Sequence, residues 1–128
     1  MTYLLDTHTF LWLVSSPGLL PSRVLAIIMD RSASILVSIV TPWEIAIKHA
    51  TGKLQASQIL DNFEAKVTHS KLEMIATSVP QVIRAGGLPL HHRDPFDRLL
   101  VAQALDLQIP ILSADRMFDR YSVQRIWA

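Results

Sequence analysis

The chain has 128 residues, 50% of them hydrophobic and 18% charged, with 12 Lys+Arg, 11 Asp+Glu and no cysteine. This is one domain's length, enough to bury roughly two-thirds of the surface its unfolded form exposes without help from metal or disulfide. The lack of cysteine excludes a disulfide framework, thiol catalysis and cysteine-ligated zinc, and a net charge of +1 spread evenly along the chain argues against broad attraction for nucleic acid while leaving room for a local patch.

Taken in order, the first element is a short apolar strand, Tyr3 to Leu5. Phe10-Leu11-Trp12-Leu13 follows, with Phe10, Leu13 and Val14 on one helical face. Ser22 to Asp30 is helical, with Val24, Ile27 and Ile28 together, and Ile35 to Val37 is the second strand. Thr41-Pro42 opens a helix that aligns Trp43, Ile47 and Ala50. Gln58 to Thr68 reads as a surface helix with Ile59, Phe63 and Val67 four apart. Leu72 to Ala76 is a weaker strand, and Val79 to Ala85 a short helix stopped by Gly86-Gly87. Asp94-Pro95 opens a helix over Phe96 to Leu107, and Ile109 to Leu112 is a strand whose Pro110 suits its entrance. Strands alternating with helices predict a single α/β domain over residues 1–128, a central mostly parallel sheet of about four to five strands flanked by helices. No apolar run approaches the roughly 20 residues that span a bilayer. The opening residues also lack the basic start and small-residue cleavage site of a signal peptide, so a cytoplasmic protein is expected.

Four of the eleven acids fall where a strand gives way to a helix: Asp6, Glu44, Asp97 and Asp115. Each has an ordinary local explanation. Thr41-Pro42-Trp43-Glu44 fits a capping box with Thr41 as cap and Glu44 reaching back, and Asp94-Pro95-Phe96-Asp97 repeats it. Asp6 and Asp115 fit simple N-caps, each stabilising by roughly 1 kcal/mol. Yet in open parallel sheets the ligand crevice lies beyond the carboxyl ends of the strands, where the strand order reverses. Carboxylates gathered there repel, by about 4 kcal/mol for a pair 4 Å apart at an effective dielectric near 20, and require raised pKa values or a bound cation. Oxygen ligands alone suit Mg²⁺ or Mn²⁺, ions that activate water and neutralise phosphoryl charge.

The stretches YLLDTHTFLWLV (Tyr3 to Val14), SIVTPWEIAIK (Ser38 to Lys48), HRDPFDRLLVAQAL (His92 to Leu105) and ILSADRMFDRY (Ile111 to Tyr121) carry a resemblance. In order and spacing they are similar to the PIN-domain nucleases, specifically the VapC-type toxins of bacterial and archaeal toxin–antitoxin pairs. The resemblance implies a metal-dependent ribonuclease that leaves a 3′-hydroxyl and a 5′-phosphate. It implies Asp6 and Asp97 as the most direct metal ligands. Glu44 would bind metal or help deprotonate the attacking water, and Asp115 would hold metal directly or through water. It also implies RNA as substrate, a cognate antitoxin protein as partner, and a homodimer.

Asp94 matches no position of that quartet and is assigned helix capping first and support of the quartet's carboxylates second. Capping is likewise the first expectation for Thr7 and Ser113, with a role in orienting carboxylates second. His8, His49, His69, His91 and His92 form no pair at ligand spacing, and a partly exposed loop role is expected for His91 and His92, with a place near the cleft for one of them as the alternative because they precede a helix start. Arg93, Arg98, Arg116 and Arg120 bracket the two downstream acids, either as a solvated rim or as phosphate contacts. Early apolar helices offer core residues and, in part, a groove for an antitoxin helix or a dimer face. Trp127 is expected at a sheet edge or interface. Three other functions fit a similar sheet: a haloacid-dehalogenase-type phosphatase, a receiver-like module, and a PIN nuclease of RNA processing. The phosphatase needs a second Asp two residues after the first, where this chain has His8, and the receiver's acidic pair after the first strand is missing.

Overall fold

The computed structural model describes residues 1–128. Five strands form one sheet in the order β3-β2-β1-β4-β5, every neighbouring pair parallel. They are β1 (Thr2–Leu5), β2 (Ser34–Ser38), β3 (Glu73–Ile75), β4 (Ile111–Leu112) and β5 (Arg125–Ile126). Seven α-helices connect them: α1 (Thr7–Ser15), α2 (Ser22–Met29), α3 (Val40–Ala50), α4 (Ser57–Leu60), α5 (Phe63–His69), α6 (Val79–Gly87) and α7 (Pro95–Leu107). A 3-10 turn at Arg116–Arg120 leads into β5.

Successive residues of a strand point to opposite faces, and the central strands are apolar on both. Leu5, Ile35, Val37 and Leu112 pack with Phe10 of α1, Val24 of α2, and Phe63 and Val67 of α5. Leu4, Leu36 and Ile111 face the other way, onto Leu100, Val101 and Ala104 of α7 and onto Phe118. Helix α6 lies against α7, where Gln81 Nε2 donates to Asp106 Oδ2 at 2.8 Å. The first three strands run outward from β1 on one side and β4 and β5 lie on the other, so the order reverses between β1 and β4.

Local chemistry explains where several elements depart from expectation. The segment Gln58 to Thr68 is two helices, not one. Asn62 adopts a left-handed conformation (φ 52°) that breaks the hydrogen-bond ladder, one of the few residues for which this is inexpensive. The segment is otherwise at the surface as expected, with Phe63 and Val67 buried and Glu64, Lys66 and Thr68 exposed. Helix α6 runs through Gly86-Gly87, with Leu88 as its C-cap. Val14, expected beside Phe10 and Leu13, is exposed at the end of α1. Helix α3 is turned the other way from its apolar stripe: Trp43 and Ile47 are exposed while Thr41, Glu44 and Ile45 are buried. Strand β5, too short to register in the sequence, extends the sheet edge, and Trp127 beyond it packs on Trp12 with ring centroids 5.7 Å apart. No helix is long and apolar enough to cross a membrane.

Candidate active site

Parallel strands deliver their carboxyl ends to a common edge, and at the β1–β4 reversal two acids leave the sheet side by side. Asp6 follows β1 and caps α1, its Oδ1 accepting the Thr9 N–H at 2.8 Å. Its other oxygen accepts the Ser113 hydroxyl at 2.5 Å, and that same hydroxyl accepts the Asp115 N–H at 2.9 Å. Ser113 thus ties the two strand ends together. Asp115 Oδ1 in turn caps the 3-10 turn through the Met117 N–H at 2.9 Å.

Glu44 comes from the next strand outward. The chain passes directly from β2 into α3, with Ile39 already helical, so the helix starts at Val40 and Thr41 is not its cap. Ser38 Oγ instead accepts the Val40 N–H at 3.1 Å. The expected capping box is therefore absent, and Thr41 Oγ1 is buried with no partner. Glu44, 2% exposed, points inward to accept the Thr7 hydroxyl on Oε1 at 2.6 Å and the Lys48 ammonium on Oε2 at 2.5 Å. Thr7 and Ser113, expected first as caps, each orient a carboxylate of the cluster.

Helix α7 runs back toward the start of β4, which puts its N-terminus at the same edge. Asp94 caps it, accepting the Phe96 N–H at 2.9 Å. Asp97 does not complete a capping box, because the Asp94 N–H goes to His92 Nδ1 at 3.2 Å. A neutral imidazole accepting on Nδ1 carries its proton on Nε2. That Nε2 donates to Asp115 Oδ2 at 2.9 Å and lies 2.9 Å from Asp97 Oδ2 as well. His92 is a partly exposed loop residue, and it is the member of the His91-His92 pair that lies at the cleft. Its side chain is 15% exposed, and its backbone N–H is held by the Tyr121 hydroxyl at 2.9 Å, which itself donates to Pro89 O at 2.7 Å. Ligand atoms of His92, Asp97 and Asp115 all lie within 4.8 Å of one another.

The electrostatics follow from this crowding. Burial, then the charges of Asp94, Glu44, Asp6 and Asp115, push the Asp97 carboxyl up to about 9. Burial also raises Asp6, against the hydrogen bonds from Ser113 and Thr9 that favour its charged form. Lys48 loses hydration, but the hydrogen bond and charge of Glu44, with Asp94 and Asp97 beyond, outweigh that and hold its pKa above the usual lysine value. Lys48, Tyr121 and the bridging role of His92 were missed by sequence reasoning. Only Lys48 left a signal, its i,i+4 spacing from Glu44.

The remaining candidates separate cleanly. Arg98 braces the loop, donating to the carbonyls of His92 and Arg93 at 3.1 Å each. Arg93, Arg116 and Arg120 are exposed around the two downstream acids. His49 pins a turn by accepting the Ala56 N–H at 3.1 Å, and His8, His69 and His91 are exposed.

Two expectations follow from this geometry. Ser113→Ala removes the hydroxyl that aligns Asp6 and the Asp115 backbone. It should weaken divalent-ion binding roughly 10- to 100-fold, the scale of losing an outer partner of a metal ligand, as read by calorimetry on folded protein. The second concerns pH. Asp97 keeps its proton to about 9 in the folded chain but loses it near the ordinary carboxylate range when unfolded. Between those values the folded state binds more protons, and stability falls as pH rises. Asp6 acts in the same direction. Melting of the chelator-treated protein should therefore drop steadily from pH 5.5 to 9, and a flat profile would contradict the raised Asp97.

An open parallel sheet with acids gathered beyond its carboxyl ends at the strand-order reversal defines a class of fold and site. The chain belongs to the PIN domain family, which it matches over residues 3–124. Solved structures agree on the fold. VapBC2 from Rickettsia felis, bound to a DNA fragment from its promoter, is similar with a TM-score of 0.71 and 16% identity, covering 100% of both chains. VapBC-1 from nontypeable Haemophilus influenzae gives 0.68 and 20%, covering 98% of this chain and 97% of that one. FitAcB from Neisseria gonorrhoeae gives 0.63 and 16%, covering 97% and 96%. No curated protein matches the chain by sequence.

Proposed function

We propose that the protein is a divalent-metal-dependent endoribonuclease acting as the toxin of a toxin–antitoxin pair, its residues 1–128 working as one domain. Asp6, Glu44, Asp97 and Asp115 would be its catalytic carboxylates, with Asp6 and Asp97 the most direct metal ligands, Asp115 holding metal directly or through water, and Glu44 binding metal or helping to deprotonate the attacking water; Mg²⁺ or Mn²⁺ would be its ion. One observation carries the reading: acids from separate strand–helix junctions crowd one edge of the sheet, closely enough that Asp97 is held protonated up to about 9. Such a cluster is short of positive charge. The donors fit the ion, being carboxylate oxygens with no thiolate among them. His92 fits as a donor to Asp115 rather than as a ligand, since its Nδ1 is already committed to the Asp94 N–H.

When bound, the ion supplies a water of lowered pKa and neutralises charge on the phosphoryl oxygens. The chain's own groups set the stage. Thr9 N–H and Ser113 hold both oxygens of Asp6, and Thr7 holds Glu44. His92 keeps Asp97 and Asp115 side by side. Asp97 has a proton to give up on loading, so binding near pH 7 would release it. The exposed Arg93, Arg116 and Arg120 would meet phosphates on either side of the scissile bond. Water attack would leave a 3′-hydroxyl and a 5′-phosphate.

The choice of RNA, the antitoxin partner, the homodimer and the cytoplasmic setting extend the same reading. They are supported by the resemblance to VapC-type toxins and by folds like those of the VapBC complexes. Exposed Trp43, Ile47, Val82 and Ile83 give protein partners apolar surface to cover. Purified protein with Mn²⁺ should cleave a structured RNA. Asp6→Asn should stop that cleavage while leaving the fold intact by circular dichroism, and equal activity in the variant would overturn the assignment. Growth arrest on expression, relieved by Asp6→Asn, distinguishes a toxin from a nuclease of RNA processing.

A further inference from the structure

The acidic site already contains a cation. Lys48 reaches in from one turn beyond Glu44, and its Nζ lies 2.5 Å from Glu44 Oε2. Its side chain is 33% exposed against 2% for Glu44, so much of the ammonium's hydration is replaced by protein. Glu44 has no idle oxygen, because Oε1 takes the Thr7 hydroxyl at 2.6 Å. Asp94 and Asp97 also attract the ammonium, which leaves it little reason to swing out to solvent. At the other end of the cluster His92 Nε2 lies 2.9 Å from both Asp97 Oδ2 and Asp115 Oδ2, and no lysine or arginine side chain pairs with Asp6, Asp97 or Asp115. A lysine or arginine cation is therefore paired with the Glu44 arm alone.

We propose that the site loads a single divalent cation per chain, with the Lys48 ammonium holding the Glu44 arm where a second ion would otherwise sit. A second divalent ion approaching Glu44 Oε2 would meet the ammonium at close range, and like charges in a poorly solvated cleft repel strongly. The lysine also holds Glu44 Oε2 in place, a positioning role. This inference rests on the metal-dependent reading above and specifies how its site is filled.

The test is a count of bound Mn²⁺ on the purified full chain, by calorimetry and by the spin resonance of the free ion. The parent should bind one per chain up to millimolar Mn²⁺. Lys48→Met keeps the apolar stem and removes the charge; it should bind a second Mn²⁺, or the first at least tenfold more tightly. Lys48→Arg should restore the parent's count. Should Lys48→Met fail to fold, Lys48→Gln serves the same purpose, and the parent's count stands independently of either. Two ions of comparable affinity in the parent, or a count and affinity unchanged in Lys48→Met, would overturn the proposal. One ion bound with no RNA cleaved would defeat the nuclease reading alone. Two ions bound with RNA cleaved would defeat only this inference, and no bound Mn²⁺ would defeat both.

Discussion

Asp97→Asn is expected to remove RNA cleavage and, in the same protein, to raise the melting temperature of the metal-free form. The amide keeps the carboxylate's shape and its place beside His92 Nε2, but it cannot ionise. Cleavage should fall by at least roughly 10²- to 10³-fold, the scale of removing one preorganised electrostatic group from a site. Stability should move the opposite way. At neutral pH the folded chain must keep on Asp97 a proton that the unfolded chain releases, because burial and four acids push this carboxyl up to about 9. An amide in its place would carry no such cost. Each kcal/mol recovered is worth roughly 2–8 °C in a domain of this size, and the fall in stability between pH 5.5 and 9 should flatten. Loss of activity with a lowered melting temperature would mean that Asp97 is structural.

Phe118→Ala should be the most damaging single change to the fold. Phe118 is fully buried on the α7 side of the sheet, packed with Leu4, Ile111 and Leu100. Removing a buried phenyl ring costs about 3–5 kcal/mol through lost transfer energy and the cavity left behind. The ring also sits 6.0 Å from the His92 imidazole, and the Phe118 N–H bonds to Asp115 O at 3.3 Å. Losing it should loosen the turn that carries Asp115 as well as unsettling the core. Urea melts should show the stability loss, with divalent-ion binding weakened even under conditions where the variant stays folded. Unchanged ion affinity in folded Phe118→Ala would show that the turn is held by its hydrogen bonds alone.

Much of the frame was legible before any coordinates. Tyr3 to Leu5, Ile35 to Val37 and Ile109 to Leu112 read as strands because short, apolar, β-branched runs covered on both faces have few other uses. The alternation with helices then implied parallel pairing. Strand β5 escaped because two residues carry no periodicity. The break at Asn62 escaped because a left-handed residue in a helical pattern is invisible when its neighbours keep the apolar spacing. The face of α3 was misjudged because Trp43 and Ile47 are apolar yet exposed, while the side facing the sheet edge carries Thr41 and Glu44.

What the sequence determined by itself is the sheet's composition, the order of strands and helices along the chain, and the four junctions at which an acid follows a strand or opens a helix. Capping and cleft-lining remained open there for a physical reason. In a parallel sheet the helix N-termini lie at the carboxyl edge, so one position can do either job, and Asp6 and Asp115 do cap while facing the cluster. Tertiary structure alone decided that Glu44 turns from the backbone to Thr7 and Lys48, and that His92 bridges Asp97 and Asp115. Those contacts join residues as far apart as Thr7 and Glu44, or His92 and Asp115. They exist only once strand order has put β1 between β2 and β4 and folded α7 back to the same edge.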